Sequence, residues 1–251
     1  MPIVFQQDLE PALKERGYSK EQAHSLSLRC CATFCYHKAC SSLGLNIPPI
    51  EEFIYTVYQD GMPGYHELGV HHGEMAKLIN TLDNRASIIT LDPLRVHGKV
   101  KKFKEVGLYS GKESIIFYKK KLRKLNRNPS IVNAVKQILD YGGIPIVGAI
   151  QKLSNGYIGS ASKEGEVPTH NFLVLDFDSK NNRFTILDPD KRAYQDLKKL
   201  RPKDMQPLHS KPTHYTVPPD FLEKSGTKIY HAGKENERKG GIVIGIFKGS
   251  S

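Results

Sequence analysis

The stretch Thr169-His-Asn-Phe-Leu-Val-Leu-Asp-Phe-Asp-Ser-Lys-Asn-Asn-Arg-Phe-Thr-Ile-Leu-Asp-Pro189 decides how this chain folds. Apolar residues dominate 170–177, give way at the polar, turn-forming residues 179–182, and resume over 184–187 before stopping at Asp188-Pro189. Two short runs rich in aromatic and branched residues, separated by an Asn-containing loop, spell an antiparallel hairpin. A hairpin sets the first residue of one strand beside the last residue of the other. His170 and Asp188 therefore come to one end of the sheet, where a carboxylate can orient an imidazole and stabilise its charged form.

Working outward, the pattern stays β on the C-terminal side. Residues 144–150 read as a buried strand, Asn155-Gly156 as a turn, and 241–247 as a final apolar strand that closes the sheet. Residues 191–239 are polar and Pro-rich, with little pattern. Towards the N-terminus the spacing becomes helical. Helices are expected over 8–18, 21–43, 51–58 and 74–82, with another from Pro129-Ser130 to Gly142-Gly143. A turn is expected at 60–64 and strands at 87–91 and 114–118, and the basic segment around the latter is expected to be partly loop. The fold class is thus α+β in a single domain, 1–251. Its mostly helical half, 1–140, packs on a mostly antiparallel β half, 141–251, with a cleft between them.

The four cysteines, Cys30, Cys31, Cys35 and Cys40, crowd into eleven residues. Secreted disulfide frameworks spread cysteines to staple distant segments, and adjacent ones bridge poorly. Zinc ribbons need paired CxxC spacing, which is absent, and only His37 lies close by. What remains is a set of reduced thiols on one helix, where Leu28, Cys31, Cys35, Ala39 and Leu43 form an apolar stripe ending at Gly44. A small buried side chain is the ordinary fate of such a cysteine. The other is nucleophile, because a helix start and a nearby imidazole both lower a thiol's pKa. Cys30 and Cys31 are both placed for it.

Four stretches in order resemble the C39-like peptidases, a branch of the papain-like cysteine proteases. Cys31-Ala-Thr-Phe-Cys-Tyr-His-Lys-Ala-Cys-Ser-Ser-Leu-Gly44 has the length of that family's nucleophile helix. Gly64-Tyr-His-Glu-Leu-Gly-Val-His-His-Gly73 is similar to its glycine and histidine segment. Tyr141-Gly-Gly-Ile-Pro-Ile-Val147 is similar to its Gly-Gly-Pro strand. His170-Asn-Phe-Leu-Val-Leu175 with Ile186-Leu-Asp-Pro189 resembles its catalytic His and Asp-Pro strands. The resemblance covers roughly residues 25–190 and implies a papain-like fold. It further implies a Cys31, His170, Asp188 triad, with the span to Gly44 selecting Cys31, and a peptidase or isopeptidase that passes through an acyl-enzyme, or an acyl transferase. A peptide or protein is the substrate it implies, and no cofactor or metal is called for. The chain departs from the family at two places. It reads Cys31-Ala-Thr where the family has Cys-Gly-Pro, and Ser25 stands where papain-like enzymes carry an oxyanion-binding Gln. Gln6, Gln7 and Gln22 are the carboxamides that could substitute.

Charge supplies a second reading. Net charge is +11, and between Arg95 and Arg127 twelve Lys and Arg residues meet only Glu105 and Glu113. Such a segment attracts an acidic protein or an anionic surface. A catalytically silent papain-like module binding through 95–127 is therefore the alternative function. Nucleic acid fits less well, because no aromatic array interleaves the lysines as stacking platforms would. His66, His71 and His72 with Glu67 or Glu74 do not form HExxH and are read as solvated or structural. No apolar run nears the roughly 20 residues of a membrane span. Residues 1–10 lack the basic start and apolar stretch of a signal peptide, which gives an expectation of a cytoplasmic location, with signal-less secretion equally compatible.

Overall fold

Among the described residues, a break at Cys30 divides the stretch 20–42 into two helices. The computed structural model describes residues 3–59, 72–96, 99–109, 121, 123–149, 152–153, 156–157, 170–190, 206–208, 211, 213–224 and 242–249. A 3-10 turn, Gln6–Leu9, leads into helix α1, Glu10–Glu15. Ser19 then opens helix α2, Lys20–Arg29, with a capping box: its Oγ accepts from Gln22 N at 3.1 Å and Gln22 Oε1 accepts from Ser19 N at 2.9 Å. The expected helix over 21–43 does not run through. At Cys30 the backbone turns to φ −85°, ψ 18°, and a new helix, α3, starts at Cys31 and runs to Ser42. The apolar stripe continues across the break, which is why spacing alone concealed it. Gly44, at φ +65°, ends α3 in the left-handed conformation that glycine tolerates.

Helices α4, Ile50–Gln59, and α5, His72–Leu82, complete the N-terminal layer. Strands β1, Ala86–Val96, and β2, Lys99–Tyr109, follow. A short helical turn at Arg123–Leu125 precedes helix α6, Ile131–Asp140. Next come β3, Ile144–Ala149, the two-residue strands β4, Lys152–Leu153, and β5, Gly156–Tyr157, then β6, His170–Asp178, and β7, Arg183–Leu187. Strands β8, Gln206–Pro207, and β9, His214–Val217, helix α7, Pro219–Lys224, and strand β10, Ile242–Lys248, complete the described chain. Eight strands form one sheet in the order β2-β1-β10-β3-β6-β7-β9-β8, every pair antiparallel, with β4 and β5 paired separately.

The protein is thus α+β, with N-terminal helices packed against an eight-stranded antiparallel sheet. On one face Leu13, Leu26, Phe34, Phe53, Ile54, Met75 and Ile79 meet Ile88, Ile146, Leu173, Ile244 and Ile246. On the other, Ile131, Val135 and Ile138 of α6 and Leu222 of α7 meet Ile89, Val147, Phe172, Val174 and Val243. Because both faces are covered, the central strands read as continuous apolar runs and not as alternations.

Two segments with little sequence pattern hold regular structure, and a second expected helix is altered. Strand β2 occupies 99–109, where a partly looped segment was expected; it is the sheet's edge, and its exposed Lys99, Lys101 and Lys102 obscured the strand pattern around buried Val100 and Phe103. Within 191–239, β9 and α7 are regular structure. β9 offers only four residues of alternation before Pro218, too few to stand out. The helix expected over 8–18 is shorter and enters through a 3-10 turn. The expected turn at 60–64, the strand at 114–118 and most of the segment 64–73 lie outside the described residues, as do His66, Glu67, His71 and Asn155. Among the described residues, no helix is long and apolar enough to cross a membrane.

Candidate active site

The hairpin of β6 and β7 delivers its two polar ends as its register requires. Leu173 pairs with Leu187 and Asp178 with Arg183, and Asn182 takes φ 51° in the connecting turn. His170, the first residue of β6, and Asp188, just past β7, meet at the open end. His170 Nε2 lies 2.8 Å from Asp188 Oδ1, with the two side chains 5% and 0% exposed. Asp188 is fixed from its own backbone too: its N–H donates to Thr213 O at 2.9 Å, and its Oδ1 also accepts from Asp190 N at 2.9 Å. A carboxylate this deeply buried needs a compensating cation, and an imidazolium supplies it.

With Nε2 engaged by Asp188, the His170 ring stands within reach of Cys31, on whose thiol it acts both as a hydrogen-bond partner and as a charge. The break at Cys30 makes this contact available. It makes Cys31 the first residue of α3, at the positive end of the helix dipole. Helix α3 packs against β6, and Cys35 Sγ, one turn on, reaches Asn171 O at 3.4 Å.

The electrostatics follow from these contacts. Burial pushes the Cys31 thiol up, but the hydrogen bond and charge of His170, joined by Asn171, outweigh it and hold the thiol below its ordinary value. Burial pushes His170 down, and the charge and hydrogen bond of Asp188, then those of Cys31, raise it well above the usual imidazole value. The pair therefore favours thiolate and imidazolium. The other thiols behave oppositely. Burial, with the nearby charge of Cys31, raises Cys30 and Cys35, and burial pushes Cys40 up to about 12.

The structure therefore brings Cys31, His170 and Asp188 together and leaves Cys30 outside, its sulfur 4.0 Å from Ser27 O. None of the three glutamines considered for the oxyanion places a free amide on Cys31. Gln22 serves the cap of α2, Gln6 Nε2 donates to Leu28 O at 3.1 Å, and Gln7 Nε2 donates to Asp190 Oδ1 at 2.7 Å. Sequence reasoning missed Asn171. Its Nδ2 lies 3.7 Å from Cys31 Sγ, and its side chain is buried. The available signal was Gly148, a glycine inside a strand, which marks a close approach. Gly148 pairs with Asn171, and a Cβ at 148 would stand 3.2 Å from Asn171 Oδ1.

His37 is turned away from the cysteines, its Nε2 2.9 Å from Pro48 O and its ring against Phe53. Among the described residues no group of three His, Cys, Asp or Glu side chains is arranged to hold a metal ion. An open polar groove lies apart from the triad residues, lined by Asn46 and residues 81–85. There Asp83 is tied to Asn46 N at 2.7 Å and to Arg85, a structural arrangement. Comparison of the chain with protein-family models, with curated proteins and with solved structures finds no match in any of the three.

Proposed function

We propose that this chain is a cysteine-dependent hydrolase of papain-like fold, acting on a peptide or isopeptide bond through an acyl-enzyme. The observation that carries this is the buried chain from Asp188 through His170 to Cys31. In the first step the Cys31 thiolate attacks the scissile carbonyl carbon. The C–S bond forms and the carbonyl π electrons move to oxygen. As the intermediate collapses the C–N bond breaks, and His170 gives its proton to the leaving amine. Water then attacks the thioester, His170 takes a proton from it, and the acid and the thiol are regenerated. Asp188 holds the ring in the orientation that presents its free nitrogen to the sulfur. Interception of the thioester by an amine in place of water gives transfer by the same machinery. The four-stretch resemblance to C39-like peptidases supports this function, and four free, buried cysteines fit the reduced thiol it needs.

The test is the iodoacetamide alkylation rate of each cysteine across about pH 5 to 9, read by peptide mass spectrometry on wild type and His170→Ala. Fast labelling of Cys31 alone at low pH, lost in the variant, is the expected result. Four thiols that all titrate near about 8.5 would remove the proposal's foundation.

The basic surface supports a second function, binding of an acidic protein. Asn126 clamps onto the edge strand, its Oδ1 accepting from Phe103 N at 2.9 Å, and so lays Arg123, Lys124 and Arg127 beside Lys101 and Lys102, all exposed. This function predicts binding that weakens steeply with salt and is indifferent to Cys31→Ala.

A further inference from the structure

A thiol hydrolase needs more than a thiolate. Attack moves charge from sulfur to the carbonyl oxygen, and donors aimed at that oxygen provide much of the catalysis. Ser25 carries no carboxamide at the position where papain-like enzymes hold theirs, and the amide nitrogens of Gln6 and Gln7 are engaged elsewhere. One carboxamide among the described residues does face the reacting atom. Asn171 Nδ2 is 3.7 Å from Cys31 Sγ.

The placement of Asn171 is built into the sheet. Alternation along β6 sends Phe172 and Val174 to the α6 side and Leu173 to the α3 side, so Asn171 shares the face on which α3 lies. Its register partner in β3 is Gly148, and the missing side chain there leaves the space that Oδ1 occupies. Its carbonyl is held by Cys35 of α3 at 3.4 Å. With the oxygen end of the carboxamide against Gly148 and the backbone pinned to α3, the nitrogen end is directed at the sulfur.

Resting on the hydrolase function above, we infer that Asn171 is a further catalytic residue, whose carboxamide N–H donates to the Cys31 thiolate before attack and to the substrate oxyanion after it. The carbonyl oxygen of the tetrahedral adduct stands one bond beyond the carbon that joins the sulfur. A donor already beside the sulfur can then meet that oxygen at the roughly 2.7–3.1 Å that stabilisation requires. No covalent bond to Asn171 forms and no proton leaves it; it supplies a fixed dipole. The missing oxyanion glutamine is in this way replaced from the opposite side of the structure, by the residue next to the general base.

Two reagents separate this role from mere packing. Iodoacetamide alkylates sulfur by displacement, with no oxyanion, whereas p-nitrophenyl acetate acylates it through one. Both rates are measured for Cys31 in wild type, Asn171→Ala and Asn171→Asp, at a pH where Cys31 of each variant is fully ionised, so that thiolate fraction cancels. Thermal unfolding followed by circular dichroism checks that each variant folds. Asn171→Asp keeps the side-chain shape and removes the N–H donors, so it remains informative if the alanine variant unfolds. The expected result is a fall in acylation of about 10²-fold or more, as for other oxyanion donors, with alkylation changed by only a few-fold. Equal losses with both reagents, or no loss with either, would overturn the inference while leaving the hydrolase function intact. A wild-type Cys31 that reacts as an ordinary thiol with both would remove the function itself, and this inference with it.

Discussion

At the scale of single residues, the site turns on how a buried carboxylate reaches a sulfur it does not touch. Asp188 bonds His170 at 2.8 Å, and both are nearly inaccessible to water. Its charge raises the imidazole well above its usual value, and the imidazolium in turn holds Cys31 down. The sign follows directly. A thiol held below its ordinary value ionises at lower pH, so Cys31 should already react quickly near neutrality. Asp188→Asn keeps the shape and removes the charge. His170 then falls back, the thiolate loses its cationic partner, and the pH midpoint for Cys31 alkylation rises. At a pH below the midpoint the thiolate fraction falls about tenfold for each pH unit by which that midpoint rises, so labelling at about pH 6 should slow. Peptide mass spectrometry after timed iodoacetamide exposure reads this out. An unchanged rate would mean that the carboxylate does not govern the sulfur.

At the scale of elements, the sequence exposed those parts whose signals are local. The β6–β7 hairpin was legible because two apolar runs flank Asn181-Asn182, and Asn182 does adopt the left-handed conformation of such a turn. From that hairpin the meeting of His170 and Asp188 followed without any structure. Helix α6 was legible for the same reason, from Ser130 through its four buried apolar positions. Its cap is intact, with Ser130 Oγ accepting from Asn133 N at 3.0 Å. What stayed hidden depends on register or on a backbone dihedral. The break at Cys30 leaves the stripe through α2 and α3 undisturbed, and Asn171 gains its meaning only when paired with Gly148, more than twenty residues away. Function and cap are separable across the sheet, since α6 packs on the face opposite α3. Ser130→Ala should therefore cost about 1 kcal/mol of stability, seen as a lower urea midpoint with unchanged slope, and leave the pH profile of Cys31 where it was. A shifted profile would show that α6 and the site are coupled through the sheet.

At the scale of the whole molecule, the site lies where three distant segments converge: the α2–α3 junction, the β6–β7 ends and the chain's first described turn. Gln6 joins all three. Its backbone N–H donates to Pro189 O at 2.9 Å, beside Asp188, and its side-chain Nε2 donates to Leu28 O at 3.1 Å, three residues before Cys31. Gln7 adds a bond to Asp190 at 2.7 Å, and Leu9 is fully buried in the helical core. The N-terminal segment thus ties the end of β7, next to Asp188, to the α2–α3 junction that precedes Cys31. Gln6→Ala keeps the backbone bond to Pro189 and removes the one to Leu28, leaving a carbonyl at the helix junction without its side-chain donor. An unsatisfied group of this kind costs about 1–3 kcal/mol, which a urea titration resolves. The junction should also lose its fixed distance from Asp188, so Cys31 labelling near neutrality should slow even under conditions where the variant is fully folded. Loss of stability with an unchanged labelling rate would mean that Gln6 holds the fold and not the site. Loss of both would make the N-terminal segment a positioning element for Cys31, acting through the position of α3.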